Sequence, residues 1–411
     1  MSIIRPFQGI RPAEELASQI AALPYDVYNS SEARKIVNEN PLSFLAIDRA
    51  ETMLSEQTDP YDPLVYKTAK NLLDQRIADG LFIQDEEACF YVYSLTMNGR
   101  TQTGLVACAS IDDYMDHVIL KHENTLAAKE EDRIRHVDAC SAQTGPIFLT
   151  YRPHEELRSI IQEVQNKEPV YDFVSEDQIG HRVWVIDDTQ LCKNISQIFC
   201  EIPKLYIADG HHRAASAVKV GLKRRKENPK HTGMEEYNYF LSVLFPSDEL
   251  EIFDYNRVIT AKNSYTFEGF LDKIKGGFDV TLVGKEANPP RKKGEIGLYM
   301  NGQWYLLEVK PKLYTKDPVK DLDVSILQDH ILEPVFGIRD PKTDSRIRFI
   351  GGIRGLEALK DAADNTNGVA FAMYPTSMHE LLQVADEGRL MPPKSTWFEP
   401  KLRSGLFIHR F

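Results

Sequence analysis

Apolar residues in this chain recur at two periods, and the switches between them mark its elements. Helical spacing runs through "NSSEARKIVNENP", with Ser30 or Ser31 as the expected N-cap and Pro41 as the stop. It returns in "DPLVYKTAKNLLDQRIADG", closed by Gly80. "ACFYVYSLTM" and "TQTGLVACASI" flank Asn98-Gly99, which predicts a hairpin; "IGLYM" and "WYLLEV" flank Asn301-Gly302 and predict a second. A helix is expected from about Asn124 to Cys140 and another from Pro153 to Gln165. Between and after them lie the strands "SAQTGPIFLTY", "HRVWVI" and "KLYIA". Beyond residue 235 strands follow in quick succession. The C-terminal end alternates helix and strand through "DVSILQDHILEPVFG", "RIRFIGG", "GLEALKDAA", "GVAFAMYP" and "SMHELLQVADEG".

This order predicts an α+β fold with mixed sheets. At 411 residues the chain is long for one core. Two regions are expected, 1–235 and 236–411, the second an α/β region whose final segment returns to the site carried by the first. No internal repeat or low-complexity segment is visible, and "KEANPPRKKGE" reads as a loop.

Composition narrows the class. Hydrophobic residues make up 42% and charged residues 27%, an ordinary globular balance. No apolar run is long enough to span a bilayer, and the N-terminal stretch lacks the apolar segment of a secretory signal. The five cysteines are scattered without a CxxC pair, which fits a reducing cytoplasm. A net charge of −12 argues against a nucleic-acid binder. The basic run Lys223 to His231 reads as a solvated loop just past a helix end.

Three constellations carry candidate chemistry. In "YIADGHHRAASAVKVG" a strand ends, the chain turns at Asp209-Gly210, and a helix starts near His211. A helix N-terminus has amides without internal partners and a positive dipole end, so it suits an anion. Gly210 permits close approach, Arg213 offers a planar fork for phosphate, and His211 and His212 can donate to phosphate oxygens. Asp209 would repel bare phosphate, so it is expected to hold a phosphate-bound Mg²⁺ or a substrate hydroxyl.

In "LKHENTLAAKEEDRIRH" the pair His122-Glu123 precedes a helix capped by Asn124 or Thr125. A carboxylate there can act as a general base, and Thr125 can contact a ligand; Arg133 and His136 lie further along the same helix. In "MPPKSTWFEPKLRSG" two prolines hold the chain extended before Lys394, Ser395 and Thr396, whose ammonium and hydroxyls suit a carboxylate or phosphate. Trp397 and Phe398 read as core packing or, as the lesser alternative, as walls of the pocket. "PYDVYNS" around Asp26 is a weaker candidate, or a turn.

Taken in order, these motifs resemble a known group. Asp209 to Arg213 is similar to the phosphate-binding motif of the ParB/sulfiredoxin superfamily. His122-Glu123, Asp209 to Arg213 and Pro393 to Thr396 together resemble the free serine kinase of that superfamily. The whole chain resembles a larger bacterial and archaeal family catalogued as a domain of unknown function, with His-Glu-x-Thr, Asp-Gly-His-His-Arg and Pro-Pro-Lys-Ser-Thr signatures. The resemblance implies a ParB/sulfiredoxin-like nucleotide-binding core. It implies that Glu123 acts on a substrate hydroxyl and that Asp209 to Arg213 holds nucleotide phosphates. It implies further that Lys394, Ser395 and Thr396 hold the substrate, with ADP or ATP as donor and Mg²⁺ beside it.

The expected function is therefore phosphoryl transfer to a small hydroxylated metabolite, free serine among the candidates. Glu123 and Asp209 are its catalytic groups, and His122 and Thr125 accompany the substrate. One rival is a nucleotide-binding regulator without turnover. A weaker one is a metal-dependent hydrolase built on His122, Glu123, His211 and His212. Neither a nucleic acid nor a membrane is expected as a partner, and a homo-oligomer is left open.

Overall fold

A computed structural model describes residues 1–125, 127–260 and 266–411. The chain folds as two compact units. The first comprises Met1–Lys121, Thr125–Leu250 and Pro400–Phe411; the second comprises His122–Asn124 and Glu251–Glu399. The fold is α+β, and its larger sheet is mixed.

The first unit is built on a nine-stranded sheet. From one edge the strands run Ile119–Leu120, Leu205–Asp209, Ile147–Tyr151, Tyr239–Pro246, Arg100–Ser110, Phe90–Met97, Gly180–Ile186 and Tyr171–Val174, with Ile4–Arg5 added beside Arg100–Ser110. Tyr239–Pro246 and Ile147–Tyr151 pair in parallel, as do Leu205–Asp209 and Ile119–Leu120; the remaining pairs are antiparallel. Asn98 and Gly99 both take positive φ, 52° and 79°, as a tight hairpin turn requires. The core is formed by β-branched, aromatic and leucine side chains such as Val92, Leu105, Leu149, Phe199 and Phe240. A second core, around Phe44, Leu45, Ile47 and Leu73, joins the N-terminal helices.

The second unit holds a six-stranded antiparallel sheet. Its order is Phe278–Gly284, Gln303–Val309, Glu295–Met300, Val369–Met373, Tyr255–Ile259 and Ile347–Gly351. Helix Gly355–Asp364 covers it, with Leu359 and Ala363 meeting Val258, Trp304 and Ala370. The Asn301-Gly302 turn is again left-handed at both residues.

Several boundaries differ from those expected. The first long helix, Ser30–Glu39, is capped by Asn29, not by Ser30 or Ser31. The Asn29 side chain accepts from the Glu32 N–H while Glu32 reaches back to the Asn29 N–H. Helix His211–Glu227 absorbs most of the basic run, so Arg224 and Arg225 stand in its last turn and pair with Asp138 and Asp112. No helix among the described residues is long and apolar enough to cross a membrane. All five cysteines are free.

Candidate functional site

The Asp209 turn lies wholly in the first unit. Strand Leu205–Asp209 carries a register shift between Ile207 and Asp209 against Ile147–Tyr151. Gly210 then takes φ 91° and ψ 30° as the N-cap of helix His211–Glu227. Two constraints make this position glycine. The left-handed conformation strains any L side chain, and a Cβ here would sit 3.0 Å from Arg213 Nε. Glycine also brings no side-chain acceptor to the first-turn amides, which leaves this helix end suited to an external anion.

The charges around the turn are arranged more tightly than the sequence suggested. Asp209 Oδ1 accepts from the Gly210 N–H at 2.8 Å, and Oδ2 accepts from Lys401 Nζ at 3.1 Å. Burial alone would raise the Asp209 carboxyl. Lys401 and Arg213 outweigh it and hold the group well below the usual carboxylate range. Arg213 folds back over Gly210 and donates from Nη1 to the Pro146 carbonyl at 2.7 Å. His211 is buried and His212 half-buried. Ser216 Oγ donates to the His212 carbonyl at 2.7 Å, one turn on.

Lys401 was missed in the sequence. It lies in the same "EPKLRSG" stretch that follows the Lys394 motif, and its pairing with Asp209 spans 192 positions. Both Asp209 oxygens are engaged, and the described residues contain no group of three or more histidines, cysteines or carboxylates placed to hold a metal ion. The four-residue hydrolase centre has no such group among the described residues.

Thr125 belongs to the first unit too. Its hydroxyl donates to Glu130 Oε2 at 2.8 Å, ahead of helix Ala127–Cys140, so the helix starts later than expected. Burial would raise the Glu130 carboxyl, but Lys219 and Thr125 lower it.

In the second unit, His122 and the late motif come together. His122 is buried, and its Nε2 lies 3.2 Å from Thr396 Oγ1, across 274 positions. The Met391 N–H donates to the His122 carbonyl at 2.8 Å, so the proline-rich segment is pinned to the His-Glu segment at two points. Glu123 is half-buried.

Lys394 has φ 60°, a left-handed lysine at the tip of the turn. Its carbonyl accepts from Arg257 Nη2 at 2.9 Å, and its ammonium lies 5.6 Å from the centre of the Tyr255 ring. Burial lowers the Arg257 guanidinium to about 10. The Ser395 hydroxyl turns inward, donating to the Pro392 carbonyl at 2.6 Å, and its own carbonyl accepts from Thr376 Oγ1 at 3.0 Å. Trp397 packs edge-on against Tyr255 and over Gly351, where a Cβ would come within 2.9 Å of the indole. Phe398 is buried beside Ile252.

The profile of one family, described as a protein of unknown function (DUF1015), matches residues 4–325. The chain belongs to the DUF1015 family. None of the curated proteins is similar enough to this DUF1015 chain to count as a match. Among solved structures it is similar to a C-terminally truncated SbnI from Staphylococcus aureus. The TM-score is 0.40 at 11% identity, over 74% of this chain and 87% of that one. It is similar to free serine kinase in complex with AMP, at TM-score 0.37 and 14% identity, over 74% and 91% of the two chains. A conserved hypothetical protein from Pyrococcus furiosus gives TM-score 0.35 and 12% identity, over 74% and 94%.

Proposed function

We propose that this chain is a nucleotide-dependent phosphotransferase with a ParB/sulfiredoxin-like phosphate turn, acting on the hydroxyl of a small metabolite, with free serine as a candidate. One observation carries the reading. A buried strand delivers Asp209 to a left-handed glycine at the uncapped start of a 17-residue helix, with Arg213 and Lys401 around it. That combination of oriented amides, helix dipole and two cations favours phosphate oxygens.

In this reading the first-turn amides, Arg213 and the histidines His211 and His212 neutralise the phosphates of ADP or ATP. Asp209 holds the turn closed through Gly210 and orients Lys401. Glu123 accepts the proton of the acceptor hydroxyl as that oxygen bonds to phosphorus and the bond to the nucleotide oxygen breaks. His122, Lys394 and Thr396 position the acceptor, and Ser395 shapes the turn that presents them. Mg²⁺, when present, accompanies the nucleotide and offsets phosphate charge. Most of the rate then comes from positioning and electrostatics, as this chemistry requires.

The test is an assay of purified protein with ATP or ADP and serine, read for phosphoserine and for ADP or AMP. Product in the wild type and none in Glu123→Gln supports transfer. Nucleotide binding without any product, across serine and other hydroxylated metabolites, makes the protein a nucleotide-binding regulator instead.

A further inference from the structure

The turn over residues 24–30 has no part in the phosphate site described above, yet its Tyr25 comes up to Arg213. Both residues line one hollow of about 450 Å³ in the first unit, together with Asp48, Arg133, Gly145 and Ser404. Gly145 keeps that wall clear: a Cβ there would meet Ser404 Oγ at 3.0 Å and Arg213 Nη1 at 3.5 Å.

Tyr25 is firmly held for a residue in a turn. Arg49 Nη1 donates to the Tyr25 carbonyl at 3.0 Å and to the Tyr28 carbonyl at 2.7 Å. Three residues earlier, Ala22 exchanges two backbone hydrogen bonds with Ser404, at 3.1 and 2.8 Å. Ser404 belongs to the same C-terminal segment as Lys401, the partner of Asp209. The Arg133 guanidinium lies 3.9 Å from the centre of the Tyr25 ring. Backbone and ring are thus fixed by three separate segments.

The hydroxyl is different. Among the described residues it has no hydrogen-bond partner, so the fold does not use it. Burial pushes the Tyr25 phenol well above its ordinary value; Arg133 and Arg213 reduce that shift and Asp26 adds to it. The group keeps its proton at neutral pH and can donate. The charges lining the hollow leave one cation over. Asp48 accepts from the Thr144 hydroxyl at 2.8 Å and interacts with Arg133 and His136, and Asp132 pairs with Arg133 at 2.8 Å. Arg213 donates from Nη1 to the Pro146 carbonyl and has no ion pair among the described residues. A fixed guanidinium and a fixed hydroxyl, each with donor capacity to spare, favour a group made of acceptor oxygens, which is what a phosphate presents.

We propose that Tyr25 is a further nucleotide-contacting residue, whose hydroxyl donates to an oxygen of the phosphate held by Arg213 and the first-turn amides of helix His211–Glu227. The proposal rests on the nucleotide reading of that turn and adds to it a donor from the opposite end of the chain.

The test is calorimetric titration of ADP and ATP into wild type and Tyr25→Phe, with urea unfolding of both proteins. The substitution keeps the ring against Arg133 and deletes only the hydroxyl. Affinity for both nucleotides should fall about tenfold while the urea midpoint stays where it was, because the lost group has a partner only in the complex. If the wild type binds and Tyr25→Phe binds equally well, this inference is overturned and the phosphate turn stands. If the wild type binds neither nucleotide, the phosphate turn is overturned and this inference with it. A loss of affinity matched by a lowered urea midpoint assigns the hydroxyl to the fold and overturns the proposal as well.

Discussion

The Gly210 and Lys394 turns both pass through left-handed backbone, at φ 91° and 60°, but they are built for different ends. At Gly210 the residue is the one that adopts this region freely, and an arginine packs where a Cβ would be. Little conformational energy is stored, and the freed space is given to cations around a helix start. At Lys394 a side-chain-bearing residue is held left-handed, at a cost on the order of 1 kcal/mol. Arg257 on its carbonyl, and Ser395 folding back to Pro392, offset that cost. The first turn is kept by sequence. The second is a strained tip kept by its surroundings, and it places Thr396 against His122.

The comparison can be broken most sharply through Glu123. Glu123→Gln should lower the rate of transfer by about a thousandfold while leaving nucleotide affinity within about twofold, as measured by product formation and calorimetry. Full activity in that variant would remove the carboxylate from the chemistry.

Gly210→Ala comes next. The added Cβ strains the backbone and displaces Arg213, so nucleotide affinity should fall by about a hundredfold and stability by about 2 kcal/mol in denaturant unfolding. An alanine variant with unchanged affinity would mean the turn does not hold phosphate.

Acid titration separates the two units by sign. Asp209, held low by Lys401 and Arg213, contributes stability that is present above the ordinary carboxylate range and is lost as pH falls below about 4. Asp323 in the second unit is pushed up to about 6 by burial, although both its oxygens accept from the Gly294 N–H. Its folded form binds the proton more tightly than the unfolded chain, so its contribution falls as pH rises from about 4 to 6. Asp323→Asn should remove that fall, on the order of 2 kcal/mol, from the pH dependence of unfolding. The same pH profile in variant and wild type would contradict it.

The smallest effect belongs to Ser395. Ser395→Ala should cost about 1 kcal/mol through the lost bond to Pro392 and change the acceptor KM by less than about threefold. Thr396→Ala, at the contact with His122, should raise that KM more. If the two exchange effects, the inward hydroxyl is the one that meets substrate.

Much of this was legible in the chain. Asn98-Gly99 and Asn301-Gly302 announce their hairpins because both turn positions need positive φ. Gly210 between an apolar strand and an alanine-rich helix announces the turn into that helix for the same reason. The Asn29 cap was not singled out, since Asn29, Ser30 and Ser31 are all good caps and only the Glu32 geometry decides among them. The pairing of Lys401 with Asp209 has no local signal at all; a contact across 192 positions is set by the fold. The same holds for the hollow, where Tyr25, Asp48 and Arg133 come from three separate segments. The left-handed Lys394 was hidden because the prolines before it predict extended chain, and the bond from Arg257 that helps to hold it comes from 137 positions away.

Calorimetric titration of ADP and ATP into wild type and Gly210→Ala, side by side, tests the phosphate turn most directly. Micromolar binding by the wild type, reduced about a hundredfold by the single methyl group, is the predicted result. Absence of binding to the wild type, or equal binding to both proteins, would contradict it.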